Sequence, residues 1–302
     1  MTTDPSQRLT AADFDPEVLS LFDQYVHGQL DRRGFLERAA RFAAAAGTSA
    51  AGLLTALSPQ FAAAQVVKPD DARIRTELVQ IDSPQGHGRV RGLLARPAQA
   101  SGRWPAVLVV HENRGLNPHI EDIARRLAVD GFLAFAPDAL FPLGGYPGDE
   151  DKARTLFAQL DQRKTAEDFV AAAQWLQARG DANARLGVVG FCYGGGMVNL
   201  LATRLPEMTA GVAFYGNAPP LDQVPRIKAR LLIHFADTDE RINAACPAYE
   251  AALKSAGVRY AAHQYAGTQH GFNNDTTPRF DPAAAALAWQ RSMSHLRATL
   301  AG

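Results

Sequence analysis

Val188-Val189-Gly190-Phe191-Cys192-Tyr193-Gly194-Gly195-Gly196-Met197 sets a cysteine between glycines directly after a short apolar run. The run reads as a buried strand and the glycines as the start of a helix, so Cys192 falls on the turn between them. A nucleophile at the tip of such a turn takes strained backbone angles, and only small neighbours let strand and helix pass that closely. The turn also aims backbone N–H groups at a reacting carbonyl. A buried structural cysteine at a tight turn meets the same short pattern, so the rest of the chain has to decide.

A nucleophile of this kind is followed in sequence by an acid and then a histidine, each at the end of a strand. Ala229-Arg230-Leu231-Leu232-Ile233-His234-Phe235 reads as a strand, and Ala236-Asp237-Thr238-Asp239-Glu240-Arg241-Ile242 runs off its end. Arg259-Tyr260-Ala261-Ala262-His263-Gln264-Tyr265 alternates as a strand does, and Ala266-Gly267-Thr268-Gln269-His270-Gly271-Phe272 follows it. The base is then His270 and the acid Asp237 or Asp239. Either carboxylate could instead cap the helix expected over residues 242–256. A third apolar run, Pro105-Ala106-Val107-Leu108-Val109-Val110, fits a buried parallel strand and leads into His111-Glu112-Asn113-Arg114-Gly115-Leu116-Asn117.

These blocks strongly resemble the dienelactone hydrolase family. The resemblance rests on the apolar strand ending in Glu112-x-x-Gly115-Leu116-Asn117, on Ala136-Pro137-Asp138 and on Gly190-Phe191-Cys192-x-Gly194-Gly195. It continues through Tyr215-Gly216 and His270-Gly271-Phe272, with every block in order from about Val67 to Gly302. It implies Cys192 as nucleophile, His270 as its proton partner and Asp239, rather than Asp237, as the orienting acid. It further implies that Glu112 holds the thiol at rest and takes part in forming the thiolate when substrate binds. A free cysteine is mostly thiol at neutral pH, so such help is needed. The backbone N–H groups of Asn113 and Tyr193 would bind the oxyanion.

One departure bears on the substrate. Members acting on small anionic lactones carry one arginine shortly after Pro-Asp and another shortly after the histidine. Here Pro137-Asp138 leads into Ala139-Leu140-Phe141-Pro142-Leu143-Gly144-Gly145, and His270 into Gly271-Phe272-Asn273-Asn274-Asp275, with no basic residue in either. Arginine forks are the natural carboxylate clamp, so a less charged ester or lactone is expected unless Arg114 or Arg241 substitutes.

The fold class expected is α/β: an α/β-hydrolase fold, with a mostly parallel sheet covered by helices on both faces. Residues 73–81 and 89–94 read as an antiparallel pair around Ser83-Pro84-Gln85-Gly86. Parallel-type strands follow at 106–110, 132–136, 186–190, 210–214, 230–235 and 259–265. Helices are expected near 119–130, 166–178, 195–203 and 282–300. The loop Leu143-Gly144-Gly145-Tyr146-Pro147-Gly148 follows a strand's carboxyl end, where it would border a substrate cleft.

The 302 residues are 47% hydrophobic and 21% charged, with 31 basic and 31 acidic side chains, which indicates neither nucleic acid nor an anionic membrane surface as partner. No apolar run is long and pure enough for a stable membrane span. Two cysteines make no disulfide framework, and Cys246 reads as a small packing residue. His111-Glu112 lacks a second histidine at position 115, the eight histidines show no metal-ligand spacing, and Gly194-Gly195-Gly196 lacks a phosphate loop's lysine. Neither a metal nor another cofactor is expected. A homo-oligomer is compatible with the composition.

The chain divides into residues 1–65 and a hydrolase domain at 66–302. Phe14, Val18, Leu21, Phe22 and Tyr25 make one apolar helical face. Asp31-Arg32-Arg33-Gly34-Phe35-Leu36-Glu37 then resembles a twin-arginine export motif, followed by an alanine-rich apolar stretch over 42–57 and by Ala62-Ala63-Ala64 as a cleavage site. This segment is either an export signal, giving a periplasmic protein, or a cytoplasmic helical extension that docks on the hydrolase or on a second subunit. A catalytic thiol would be exposed to oxidation in the periplasm.

The function expected is a cysteine-dependent hydrolase of small carboxylic esters or lactones, acting through a thioester acyl-enzyme. Thioester or peptide cleavage is an alternative on the same scaffold, as is an inactive binding module.

Overall fold

The structure, a computed structural model, describes residues 8–99 and 102–301. Four helices come first: α1 (Pro16–Val26), α2 (Arg32–Ala45), α3 (Ala50–Leu57) and the short α4 (Phe61–Ala64). Strands β1 (Ile74–Ser83), β2 (Gly88–Pro97) and β3 (Trp104–Val110) follow, then α5 (Pro118–Val129) and β4 (Leu133–Pro137). Helices α6 (Glu150–Phe157) and α7 (Gln162–Gln177) lead to β5 (Ala182–Phe191), α8 (Tyr193–Arg204), β6 (Met208–Phe214) and β7 (Arg230–Ala236). The chain ends with α9 (Glu240–Asn243), α10 (Cys246–Ser255), β8 (Tyr260–Tyr265) and α11 (Pro282–Leu300).

All eight strands join one sheet in the order β1-β2-β4-β3-β5-β6-β7-β8. β1 and β2 pair antiparallel over ten residues, as expected, and β2 runs antiparallel to β4. From β4 to β8 every neighbour is parallel. This is the α/β-hydrolase arrangement. The parallel strands are continuous apolar runs because both faces are covered: Ala106 to Val110 have no solvent exposure. One face packs through Leu108, Phe135, Phe169 and Val198, the other through Val107, Ile123, Phe191 and Leu296.

Parallel pairing brings the carboxyl ends of β3, β5, β7 and β8 to one edge of the sheet. The loops carrying Glu112, Cys192, Asp239 and His270 leave from that edge. The single helix expected over residues 242–256 is instead two, α9 and α10, because Pro247 sits in the first turn of α10 and cannot donate to a continuing helix. Helix α6, capped by Asp149 accepting from the Lys152 N–H, was not anticipated.

Residues 16–57 make a helical unit with its own apolar core, including Val18, Leu21, Phe22, Tyr25, Phe35, Leu53 and Leu57. Phe35 is fully buried, edge-on to Phe22 and tilted against Tyr25. The unit lies on the sheet's carboxyl edge. Tyr25 OH donates to Asp151, Arg32 pairs with Asp151 at 2.8 Å, and Arg154 stacks on the Tyr25 ring and donates to its carbonyl. The chain then descends along the sheet domain, with the Gln60 N–H on the Thr276 carbonyl and the Val66 and Val67 N–H groups on Asp122. The stretch read as the apolar part of an export signal is here the end of α2 and all of α3. No described helix is long and apolar enough to cross a membrane.

Candidate active site

β5 delivers Cys192 to the turn before α8, where its backbone takes φ 55° and ψ −114°, a conformation side-chain-bearing residues rarely adopt. Two glycines permit the turn. A Cβ on Gly190 would lie 2.2 Å from the Gly194 carbonyl oxygen, and one on Gly194 would lie 2.2 Å from that of Val110. The Cys192 N–H donates to the Phe214 carbonyl, pinning the turn to β6. Tyr193 opens α8, and Asn113 follows β3 across the same edge. Among the described residues neither the Tyr193 nor the Asn113 backbone N–H meets an acceptor, as donors awaiting an oxyanion require.

Asp239 and His270 form a buried pair, with His270 Nδ1 2.5 Å from Asp239 Oδ2. The other oxygen of Asp239 accepts from the Ile242 N–H at the start of α9. Asp239 therefore both caps a helix and orients the imidazole. Asp237 does neither: it is exposed, and its carboxylate accepts from Gln264 Nε2 and the Gly267 N–H. His270 Nε2 is buried without a hydrogen-bond partner, the position of a nitrogen free to exchange a proton with sulfur or water.

The thiol's neighbour is a residue that sequence reasoning missed. His27, directly after α1, brings Nε2 to 3.6 Å from Cys192 Sγ and lies edge-on to His270 with ring centroids 4.7 Å apart. Its Nδ1 meets the Asp23 carbonyl at 2.8 Å and the Asp23 carboxylate at 3.3 Å, while Arg241 Nη2 approaches Nε2 at 3.1 Å. One ring nitrogen of each imidazole and Sγ all lie within 4.8 Å of one another. No ligand spacing was legible in the sequence, yet a soft cation could reach these three donors.

Burial alone would push the Cys192 thiol up, but the His270 and His27 imidazoles outweigh it and bring it down to about 5. Burial lowers His27, and Asp23 together with the sulfur more than reverses that, raising it to about 10. His270 is raised in the same way by Cys192 and Asp239 against its own burial. The cluster favours thiolate beside imidazolium.

Glu112 lines the same cavity, but its Oε2 accepts from Asn274 Nδ2 at 3.0 Å. The resemblance implied that it holds the thiol; in this geometry the thiol's hydrogen-bond partner is His27. Asp138, of the Ala-Pro-Asp block, accepts from the Leu116, Leu140 and Tyr146 N–H groups. It thereby fastens the loop after β3 to the loop after β4.

Over the cluster lies a cavity of about 410 Å³, walled by Phe22, Tyr25 and His27 on the helical unit and by Glu112, Arg114 and Tyr146 on the hydrolase. The loop over 143–148 borders it as expected, through Tyr146 and Gly148. Arginines do reach the site. Arg279, nine residues after His270, lines the wall and pairs with Asp23 at 3.2 Å. Arg114 lines it as well, donating to Asn113 Oδ1 and lying 3.6 Å from Glu150. Arg241 reaches His27 instead. The cavity arginines are thus paired with carboxylates of the protein itself.

The remaining candidates are structural. His234 is fully buried between the Tyr265 and Ser292 hydroxyls, and burial holds its imidazole well below the usual range. Cys246 is a half-buried thiol in the first turn of α10, pushed up to about 11 by burial.

With the geometry in place, comparison with known proteins places it. The family described as "Dienelactone hydrolase family" matches residues 90–300, and one described as "YqhI-like" matches residues 6–44. The chain is 34% identical to a "Putative carboxymethylenebutenolidase" of Escherichia coli (strain K12), over 82% of this chain and 95% of that one. It is 33% identical to a "Probable 2-oxo-3-(5-oxofuran-2-ylidene)propanoate lactonase" of Bradyrhizobium sp, over 75% of this chain and 98% of the other. Among solved structures, the "Putative Dienelactone Hydrolase" from Klebsiella pneumoniae superposes with TM-score 0.66 at 30% identity, covering 74% of this chain and 98% of its own.

Proposed function

Because this chain belongs to the dienelactone hydrolase family, and is accordingly a hydrolase of esters or lactones, we propose that it acts through a Cys192-His270-Asp239 triad and a thioester intermediate. The observation that carries this reading is the elbow thiol set beside an imidazole that a buried carboxylate orients at 2.5 Å.

In this mechanism the Cys192 thiolate attacks the carbonyl carbon, and the carbonyl π pair moves to oxygen. The Tyr193 and Asn113 N–H groups receive that charge. Collapse breaks the ester C–O bond, and the departing alkoxide takes a proton from the imidazolium. His270, neutral and held in the useful tautomer by Asp239, then removes a proton from the water that attacks the thioester. Thiolate leaves, and the acid is released. For Glu112 we propose only a place on the cavity wall, given its bond to Asn274.

The substrate proposed is a small ester or lactone without a strong anionic group, because Arg32, Arg114 and Arg279 already face Asp151, Glu150 and Asp23. The helices of residues 16–57 are proposed to stay on the working enzyme, because they wall the cavity and Arg32 of the twin-arginine-like stretch is spent on docking. A location inside the cell agrees with that and with a reactive thiol.

The test is hydrolysis of neutral and anionic esters and lactones by wild type and Cys192→Ala. Turnover of neutral members that vanishes with the thiol supports the reading. Comparable turnover by Cys192→Ala would remove Cys192 as nucleophile.

A further inference from the structure

We propose that His27, carried in by the N-terminal helices, is a catalytic residue: the group that takes the Cys192 proton in the resting enzyme, so that the active site is shared between the two parts of the chain. This rests on the triad reading above and adds to it a second imidazole from outside the hydrolase sheet.

The geometry carries the inference. His27 Nε2 lies 3.6 Å from Cys192 Sγ, His270 Nε2 stands in the same cluster within 4.8 Å and meets no partner at normal hydrogen-bond distance, and Glu112 is turned to Asn274. His27 is also positioned with care. It follows the last residue of α1, where the helix's unpaired carbonyls favour a positive charge. Asp23, one turn earlier, holds Nδ1 through both carbonyl and carboxylate, and Arg279 in turn holds Asp23. The same helix end is bolted to the hydrolase, with the Val26 carbonyl accepting from Asn113 Nδ2 at 2.9 Å and from the Arg114 guanidinium. Asn113 thus fastens the helix that brings His27 and also offers its own N–H to the oxyanion.

The charged and titratable groups facing this imidazole are Asp23 on α1, Arg241 on α9, and His270 and Arg279 after β8. Cys192 faces it from the elbow, Glu112 and Arg114 line the same cavity, and Asp239 and the Tyr215 ring lie against His270. Burial opposes a protonated His27, and Asp23 and the thiolate favour it. The pair prevails, since His27 is raised overall.

The proton balance closes with two imidazoles. The thiol proton passes to His27 Nε2, leaving thiolate and imidazolium. The S–C bond forms, the ester C–O bond breaks, and the alkoxide takes its proton back from His27. With the sulfur acylated the thiolate charge that raised His270 is gone, and its Nε2 is ready to accept a proton from water. His270 then takes the proton of the attacking water, the C–S bond breaks, and the released thiolate carries that proton from His270 to His27, which restores the resting pair.

The test reads the thiol without requiring turnover. In a Cys246→Ala background the only remaining thiol is Cys192, and its alkylation by iodoacetamide is followed against pH in the full-length protein. His27→Gln keeps a hydrogen-bond donor but cannot take a proton, and Asp23→Asn leaves the imidazole while removing its carboxylate. The alkylation midpoint is expected to rise by at least about one pH unit in His27→Gln and by less in Asp23→Asn. Ester turnover at pH 6 should fall roughly tenfold or more in kcat, with little change in KM. His27→Ala should regain part of that loss with added imidazole. Unchanged alkylation midpoints in both His27→Gln and Asp23→Asn would overturn the proposal even if Cys192→Ala abolishes turnover. A shifted midpoint in a protein that hydrolyses no ester would instead uphold His27 and sink the hydrolase mechanism.

Discussion

Replacing Asp239 by asparagine asks the most of the site, because that side chain has two partners and asparagine has only one acceptor. Oδ1 accepts from the Ile242 N–H at 3.4 Å and Oδ2 meets His270 Nδ1 at 2.5 Å. An amide satisfies both only by turning its oxygen to Ile242 and its NH₂ to the imidazole. His270 then accepts at Nδ1 and carries its proton on Nε2, so Nε2 cannot take a proton from water. Turning the oxygen to His270 instead keeps the tautomer but leaves the helix cap unmade, at about 1 kcal/mol. Losing only a charge-assisted bond is worth about 1.5–3 kcal/mol, or roughly 10- to 150-fold in rate. The wrong tautomer costs about 10⁴ in the serine-protease case. Since the amide's satisfied orientation is the wrong-tautomer one, Asp239→Asn should lose three to four orders of magnitude, on the order of that case. A nitrophenyl ester, whose leaving group needs no proton, separates the steps in stopped flow. The burst of nitrophenolate should persist while steady-state release nearly stops. Asp237→Asn, which alters only the Gln264 and Gly267 contacts, should stay within about threefold of wild type, as surface changes usually do. Steady-state turnover within tenfold of wild type for Asp239→Asn would refute this, as would a larger loss from Asp237→Asn.

Alkylation of wild-type Cys192 should rise with pH around a midpoint near 5 and level off through neutrality, the thiolate being lost only as pH falls through that value. The midpoint is the diagnostic, because a low-pKa thiolate is also a weaker nucleophile; a midpoint above 8 would contradict the cluster's electrostatics. Gly194→Ala puts a Cβ 2.2 Å from a backbone oxygen of β3, with no flexible side chain to yield. It should cost about 2–3 kcal/mol and most of the turnover, and an unchanged thermal midpoint with full activity would contradict the close approach. Phe35→Ala empties the core of the N-terminal helices and should cost about 3–5 kcal/mol there. Hydrogen exchange should quicken across residues 16–57 and not in β3 or β5, and uniform quickening would mean that the two parts unfold as one.

The sheet was legible because its strands are buried on both faces and so stand out as apolar runs ending in chemistry-bearing loops. The strands read at 106–110 and 230–235 needed nothing more. Cys192 and His270 were legible for the same reason, each a short step past a strand, whereas the choice of Asp239 over Asp237 came from the family resemblance. His27 was not, since a histidine after an amphipathic helix carries no mark of where that helix will dock. Arg279 escaped because the coil between His270 and α11 folds back onto the cavity, which spacing does not reveal. The residues around Arg32 and Arg33 resemble an export motif, and in the structure Arg32 pairs with Asp151 and Arg33 with Glu37. Pro247 was a visible helix breaker whose consequence went unread.

Intact-mass analysis of the enzyme mixed with a nitrophenyl ester shows whether Cys192 carries the acyl group. His270→Ala, slowed in hydrolysing the thioester, should accumulate one acyl group per chain, located on Cys192 by peptide mapping and absent when Cys192→Ala is added. An acyl group on any other residue, or steady ester turnover by Cys192→Ala, would contradict the account.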